Sequence, residues 1–200
     1  TEMKQLQQLD GLDIDFAGLI FYKESPRYIG EKLLKNELKK ADFDLKKVGV
    51  FVNSEMIDVL DAIDEYGLDA VQLHGDEGPG MCVDLSSEVE VIKAFRVADG
   101  TDIDKLVAPY DGVCDYYLFD SDGLKESFGG TGKKFDWNIL TRAKIEKPFF
   151  LSGGIGMEDA AKGKAFKHPD FFGIDINSRF EKSPGVKDMG AVLQFRQALK

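Results

Sequence analysis

Short apolar runs, each followed by an amphipathic stretch, recur along this chain, and that alternation leaves few folds open. The runs are Phe16 to Phe21, Val48 to Val52, Ala70 to Leu73, Val91 to Phe95, Tyr116 to Phe119, Phe149 to Leu151 and Phe171 to Ile176. They are rich in β-branched and aromatic residues and mostly lack a polar alternate, as strands do when both faces of a parallel sheet are covered. Their starts lie roughly 21 to 33 residues apart, room for one strand, one helix and two loops.

The intervening segments carry helical spacing. Gly30 to Lys40 places Leu33, Leu34 and Leu38 on one face and lysines on the other, a solvated cationic surface. Ser54 is placed to cap Glu55 to Tyr66, where Met56, Val59, Leu60 and Ile63 form a stripe. Asp159 to Phe166 and Asp188 to Leu199 read as further helices, and Asp102 to Val107 as a weaker one. The chain opens on another: Met3, Leu6 and Leu9 share a face, and Gly11 follows as a stop. The pattern predicts a (β/α)8 TIM barrel of the phosphate-binding type, one domain over residues 1–200. Seven strands preceded by a helix imply that its first strand lies upstream, so that the chain starts at the helix after it. A doubly wound open sheet is the alternative. Against it, no G-x-G-x-x-G follows an early strand, and the glycine-rich turns cluster late, where barrels bind phosphate.

Composition narrows the function. A formal net charge of -10 argues against a protein that grips nucleic acid, although a pocket on an acidic protein can still be positive. No run of 18 apolar residues is present, so no membrane partner is expected. Cys82 and Cys114 form neither a disulfide framework nor a metal pattern, and His74 and His168 are too scattered for a zinc site. A reducing cytoplasm, no metal and no cofactor are the expectations. The oligomeric expectation is a monomer or homodimer.

In a parallel barrel the chemistry sits at the C-terminal ends of the strands. Those positions hold Arg27, Asn53, His74, Arg96, Asp120, Gly153 with Gly154, and Asn177 with Ser178. Cations, a carboxylic acid and backbone amides suit a small phosphorylated substrate that also bears a carboxylate. Ser152-Gly153-Gly154-Ile155 leaves a strand before a helix, where glycines let amides approach an anion; a tight turn needing only positive φ reads the same way. Asp120 ends an apolar strand. Partial burial there would raise its pKa and suit a general acid, whereas a helix cap or salt-bridge partner is the plainer role. Lys133, in the glycine-rich loop after it, could reach an anion or sit on a surface loop. His74 could touch the substrate, position Asp120 or merely bond backbone, and Arg96 could serve the pocket or an exposed ion pair. Trp137 reads as packing.

Five blocks resemble the phosphoribosylanthranilate isomerases of tryptophan biosynthesis, in the right order. Gly18-Leu19-Ile20-Phe21-Tyr22 with Ser25-Pro26-Arg27-Tyr28 resembles that family's second strand, and Val71-Gln72-Leu73-His74-Gly75 its fourth. The Asp120 strand with Gly129-Gly130-Thr131-Gly132-Lys133-Lys134-Phe135-Asp136-Trp137 resembles its sixth, and Ser152-Gly153-Gly154-Ile155 its seventh. Asp175-Ile176-Asn177-Ser178 with Glu181-Lys182-Ser183-Pro184-Gly185-Val186-Lys187-Asp188 resembles its eighth. The resemblance implies an Amadori rearrangement of N-(5-phosphoribosyl)anthranilate to 1-(2-carboxyphenylamino)-1-deoxyribulose 5-phosphate without metal or cofactor. Asp120 would be the general acid, Arg27 the partner of the anthranilate carboxylate, His74 a substrate contact, and the amides around Gly153, Gly154, Asn177 and Ser178 the phosphate site. The family's base is a cysteine in a Lys-x-Cys-Gly motif on the first strand. That motif is not in this sequence, and neither Cys82 nor Cys114 stands where it would, so the 200 residues lack the expected base. The alternatives are another phosphate-binding barrel isomerase, such as that of histidine biosynthesis, and a non-catalytic barrel that binds a phosphorylated ligand or serves as a partner subunit. Against the former, no internal repeat is evident.

Overall fold

The structure, a computed structural model, describes residues 2–30, 35–121 and 134–200. Seven parallel strands follow one another in chain order through a single sheet: β1 (Phe16–Ile20), β2 (Lys46–Phe51), β3 (Ala70–Leu73), β4 (Glu90–Val97), β5 (Tyr116–Ser121), β6 (Phe149–Leu151) and β7 (Phe171–Ile174). All seven expected runs are strands, with ends shifted by up to two residues. The last run stops at Ile174 rather than Ile176, because the chain leaves the ladder after Asp175 donates its N–H to Leu151 O at 2.8 Å.

Helices alternate with the strands: α1 (Met3–Asp10), α2 (Lys35–Lys40), α3 (Met56–Tyr66), α4 (Pro79–Leu85), α5 (Ile103–Val107), α6 (Ala160–Ala165) and α7 (Met189–Leu199). Leu38, Val59, Leu85 and Phe195 turn inward from α2, α3, α4 and α7 and are buried against the outer face of the sheet. Each such side chain contributes about 1.5–3 kcal/mol by leaving water. Asp102 and Asp188 cap α5 and α7 by accepting backbone N–H groups. Ser54 does not cap α3. That helix starts one residue later than expected, at Met56, and Glu55 occupies the cap position with no side-chain bond. The stretch from Asp159 begins instead as a 3₁₀ turn, Met157–Asp159, before α6. The lysine face of α2 is solvated as expected, with Lys35 and Lys39 paired to Glu65 and Asp64 of α3. Leu33 and Leu34 lie outside the described residues.

The sheet is curled. Phe16 of β1 meets the rings of Tyr116 on β5, Phe150 on β6 and Phe172 on β7 edge to face at 5.3–5.8 Å, so the inner faces of the first and last strands share one interior. Val48, Ala70, Ile92, Ala94 and Leu118 fill it further. Among the described residues no ladder joins β7 to β1, and the sheet keeps two edges along that seam. A two-strand hairpin, β8 (Glu181–Ser183) and β9 (Val186–Lys187), follows β7 beside it; the sequence reading had no hairpin there. Among the described residues no helix is long and apolar enough to cross a membrane.

Candidate active site

Strand parity decides which side chains reach the interior mouth. Side chains alternate across a strand, so those two apart share a face. Ile92 and Ala94 face the interior on β4, as do Tyr116 and Leu118 on β5 and Phe150 on β6. The next positions of that parity are Arg96, Asp120 and Ser152; on β3 the same step from Ala70 runs through Gln72 to His74. Arg96 and Asp120 are register partners on neighbouring strands. All of them line one cavity of about 510 Å3, together with Arg27, Gly153, Gly154, Asn177 and Ser178. Of the strand-end residues expected from the sequence within the described chain, all but Asn53 line this mouth; Asn53 instead bonds Glu77 and the backbone of Asp76. Lys133 lies outside the described residues.

Asp120 is partly buried, as expected, and His74 stands over it. His74 Nε2 lies 3.0 Å from Asp120 Oδ2, with the two side chains 21% and 20% exposed. The other ring nitrogen, Nδ1, lies 2.5 Å from Gln72 Oε1, an acceptor, and therefore carries a proton. The ring thus bridges Gln72 and Asp120 at the edge of the cavity. His74 therefore bonds side chains rather than backbone.

The turn after β6 comes close to this pair. Gly153 has φ +93° and Gly154 φ +61°, conformations open to glycine. A Cβ on Gly153 would also lie 2.6 Å from Asp120 Oδ1, so close approach and positive φ both require glycine there. Ser152 Oγ donates to Asp175 Oδ2 at 2.8 Å. Asp175 is partly buried in the cavity wall, and burial pushes its carboxyl above the ordinary range; the Ser152 hydrogen bond opposes this and the charge of Asp120 reinforces it. Sequence reasoning quoted Ser152 and Asp175 in motifs without giving either a role.

Arg27 follows β1 and reaches across the seam to Glu181. Its Nε lies 2.9 Å from Oε2, and its Nη2 lies 2.8 Å from the same oxygen. Lys187 Nζ donates to Glu181 Oε1 at 3.1 Å and to Asn177 Oδ1 at 2.6 Å. Burial draws the Lys187 ammonium below its ordinary pKa, and Glu181 offsets only part of that. Burial alone would raise Glu181, but the Arg27 hydrogen bond and the Lys187 charge outweigh it and hold the carboxyl below its usual value.

A second buried pair supports the loops from behind. Lys93, on the outer face of β4, donates to Glu77 Oε2 at 2.9 Å, with both side chains 3% exposed. Glu77 also accepts the N–H groups of Asn53 at 2.7 Å and Gly75 at 2.8 Å, tying the ends of β2, β3 and β4 together beside His74. Sequence reasoning missed it. Arg96 does both things open to it, lining the cavity and pairing with Asp76 at 2.8 Å. Trp137 is packing, buried edge to face on Phe166.

Neither cysteine lines the cavity. Cys82 is buried in α4, and Cys114 donates weakly to Tyr110 O, its thiol pushed by burial up to about 12. Among the described residues no group of three or more His, Cys, Asp or Glu is arranged to hold a metal ion.

Residues 1–198 match the family described as N-(5'-phosphoribosyl)anthranilate (PRA) isomerase. An N-(5'-phosphoribosyl)anthranilate isomerase of Parabacteroides distasonis is 40% identical over 99% of this chain and 89% of its own length. The crystal structure of phosphoribosyl anthranilate isomerase from Thermotoga maritima superposes with a TM-score of 0.85 at 29% identity, covering 100% of this chain and 94% of that one. A structure of such an isomerase in complex with reduced 1-(o-carboxyphenylamino)-1-deoxyribulose 5-phosphate superposes at 0.81 with 27% identity, over 100% of this chain and 94% of the other.

Proposed function

The chain belongs to the N-(5'-phosphoribosyl)anthranilate isomerase family, and from that premise we propose how its barrel mouth carries out the Amadori rearrangement of tryptophan biosynthesis. The observation that carries the reading is the meeting of Arg27, the His74–Asp120 pair and the turns at Gly153–Gly154 and Asn177–Ser178 around one cavity. A sugar phosphate with an aryl carboxylate needs three things: an anion site at each end and an acid between them.

Asp120 is the acid. A proton passes from Asp120 to the furanose ring oxygen, the C1–O bond breaks, and the nitrogen lone pair forms the C1–N Schiff base. Loss of the C2 proton to a base gives the enolamine, which tautomerises to the ketose. The described residues lining the cavity include no cysteine, so Cys82 and Cys114 have no part in that step. Arg27 takes the anthranilate carboxylate, for which its planar, permanently charged fork is suited. The amides of the two late turns hold the phosphate, and the positive φ of Gly153 and Gly154 lets the backbone approach it.

Turnover of N-(5-phosphoribosyl)anthranilate to the ketose is the direct test. Asp120→Asn removes the acid with almost no change of shape. A positioned general acid is worth about 10²–10⁴-fold in rate, so kcat should fall by that factor while affinity for the reduced product analogue changes little. Undiminished turnover in Asp120→Asn would remove Asp120 from the acid role. A wild-type protein that holds the analogue but does not turn over would favour the ligand-binding alternative.

A further inference from the structure

Arg27 is already holding a carboxylate, yet it retains the means to hold another. A guanidinium presents two edges that fit a carboxylate: Nε with one Nη, and the two Nη groups at its end. Glu181 occupies the first, through Nε at 2.9 and 3.1 Å and Nη2 at 2.8 Å. Among the described residues Nη1 has no partner, and Arg27 lines the cavity. Glu181, for its part, is saturated. It is only 4% exposed and accepts also from Lys187 Nζ at 3.1 Å and from the Gly185 N–H at 3.1 Å. Glu181 lines the cavity too, but its carboxylate is already spent on these donors, so the far edge of Arg27 is what a ligand there has left to pair with.

We propose that Glu181 is a positioning residue: it fixes Arg27 across the seam between β1 and β7 as a one-edged clamp, and this unit makes the site select an aryl amine that carries a carboxylate. The inference rests on the isomerase reading above. Its physical content is preorganisation. A free arginine would lose much rotamer freedom on meeting its ligand, and Glu181 takes that loss before the ligand arrives. Charge agrees. Arg27 and Lys187 with Glu181 sum to one positive charge, the complement of one carboxylate. The same network sets the span between the two anion sites, since Lys187 also binds Asn177 Oδ1 in the last turn at 2.6 Å.

The test compares two probes, reduced 1-(o-carboxyphenylamino)-1-deoxyribulose 5-phosphate and its counterpart without the ring carboxylate. The wild type should prefer the first by roughly 10- to 100-fold, as a charged hydrogen-bonded pair provides. In Glu181→Gln that preference should collapse to near unity, while affinity for the second probe barely moves. Arg27→Lys should collapse it equally, because an ammonium can still pair with Glu181 but has no second edge. Combining the two should cost nothing more in the ratio. Retention of the wild-type ratio in either variant overturns the proposal, as does an equal loss for both probes. If Glu181→Gln does not fold, the ratio in Arg27→Lys decides. A wild type that binds both probes equally removes the clamp and leaves the isomerase reading in place; one that binds neither removes both.

Discussion

Changing Glu77 to Gln should destabilise this protein more than almost any other isosteric change, although Glu77 is not itself expected to touch substrate. Its Oε1 accepts from Asn53 N, and its Oε2 accepts from Gly75 N and Lys93 Nζ. A carboxamide keeps one acceptor and turns the other into a donor. Whichever way it is oriented, an N–H group then faces another donor. Lys93, 3% exposed, keeps its carbonyl partners Leu73 O and Gly75 O but loses its counter-charge. Breaking one half of a buried ion pair costs about 3–5 kcal/mol. In a chain of this size each kcal/mol moves the midpoint of thermal unfolding by about 2–4 °C, so Tm should fall by roughly 6–20 °C.

Circular dichroism melts of Glu77→Gln, Lys93→Met and the double variant supply the check. Each single change should be costly. The double should cost far less than their sum, because it removes both charges together, though the carbonyls of Leu73 and Gly75 still lose a donor. Strict additivity, or a Tm for Glu77→Gln within about 2 °C of wild type, would refute the view that these charges hold the loops as a unit.

Asp175 carries a pH signature. Its folded pKa is raised by burial above its ordinary value, so the folded state holds its proton more tightly than the unfolded chain. Its contribution is fully present below that ordinary value and is lost as pH rises through the higher folded one. Asp175→Asn should therefore gain stability relative to wild type as pH climbs from the acid range to neutrality; a difference in Tm that is flat with pH would contradict the assignment. The cysteines supply a simpler test. Burial raises both thiols, Cys114 to about 12, so iodoacetamide should modify neither in the folded protein at mildly alkaline pH and both after denaturation. Rapid labelling of either thiol in the native state would show an opening that the structure does not contain.

The strands and the inward-facing part of the site were legible in the sequence because both depend on local periodicity. Once the runs ending at Leu73, Phe119 and Leu151 are read as parallel strands, the chemistry-bearing residues at their ends must gather at one mouth; parity alone then turns His74, Arg96, Asp120 and Ser152 inward. What stayed hidden depends on partners remote in sequence. Nothing local says that Arg27 bonds Glu181, 154 residues away, or that Lys93 on the outer face of β4 anchors the loop after β3. A strand-end arginine reads as a free cation until the chain is folded. The helix starts were misread for a smaller reason: Ser54 and Glu55 both have capping chemistry available nearby, and backbone geometry, which composition does not carry, chose the later residue. The β8–β9 hairpin did have a local signal, Pro184-Gly185 with Gly185 at φ +80°.

The site also resolves an electrostatic conflict that the sequence only poses. A chain of net charge -10 must accept a substrate with a carboxylate and a phosphate, and Asp120, Asp175 and Glu181 all line the cavity. Three ionised carboxyls facing such a ligand would repel it. The environment pushes two of them in opposite directions and thereby disarms both. Glu181 is held ionised but spent on two cations, leaving that trio positive. Asp175, which lies just before the Asn177–Ser178 turn, has its carboxyl raised by burial and so resists the charge that would oppose a phosphate there. Asp120, the third, is held by His74 at 3.0 Å, which leaves its carboxyl at the mouth where the proposed acid would act.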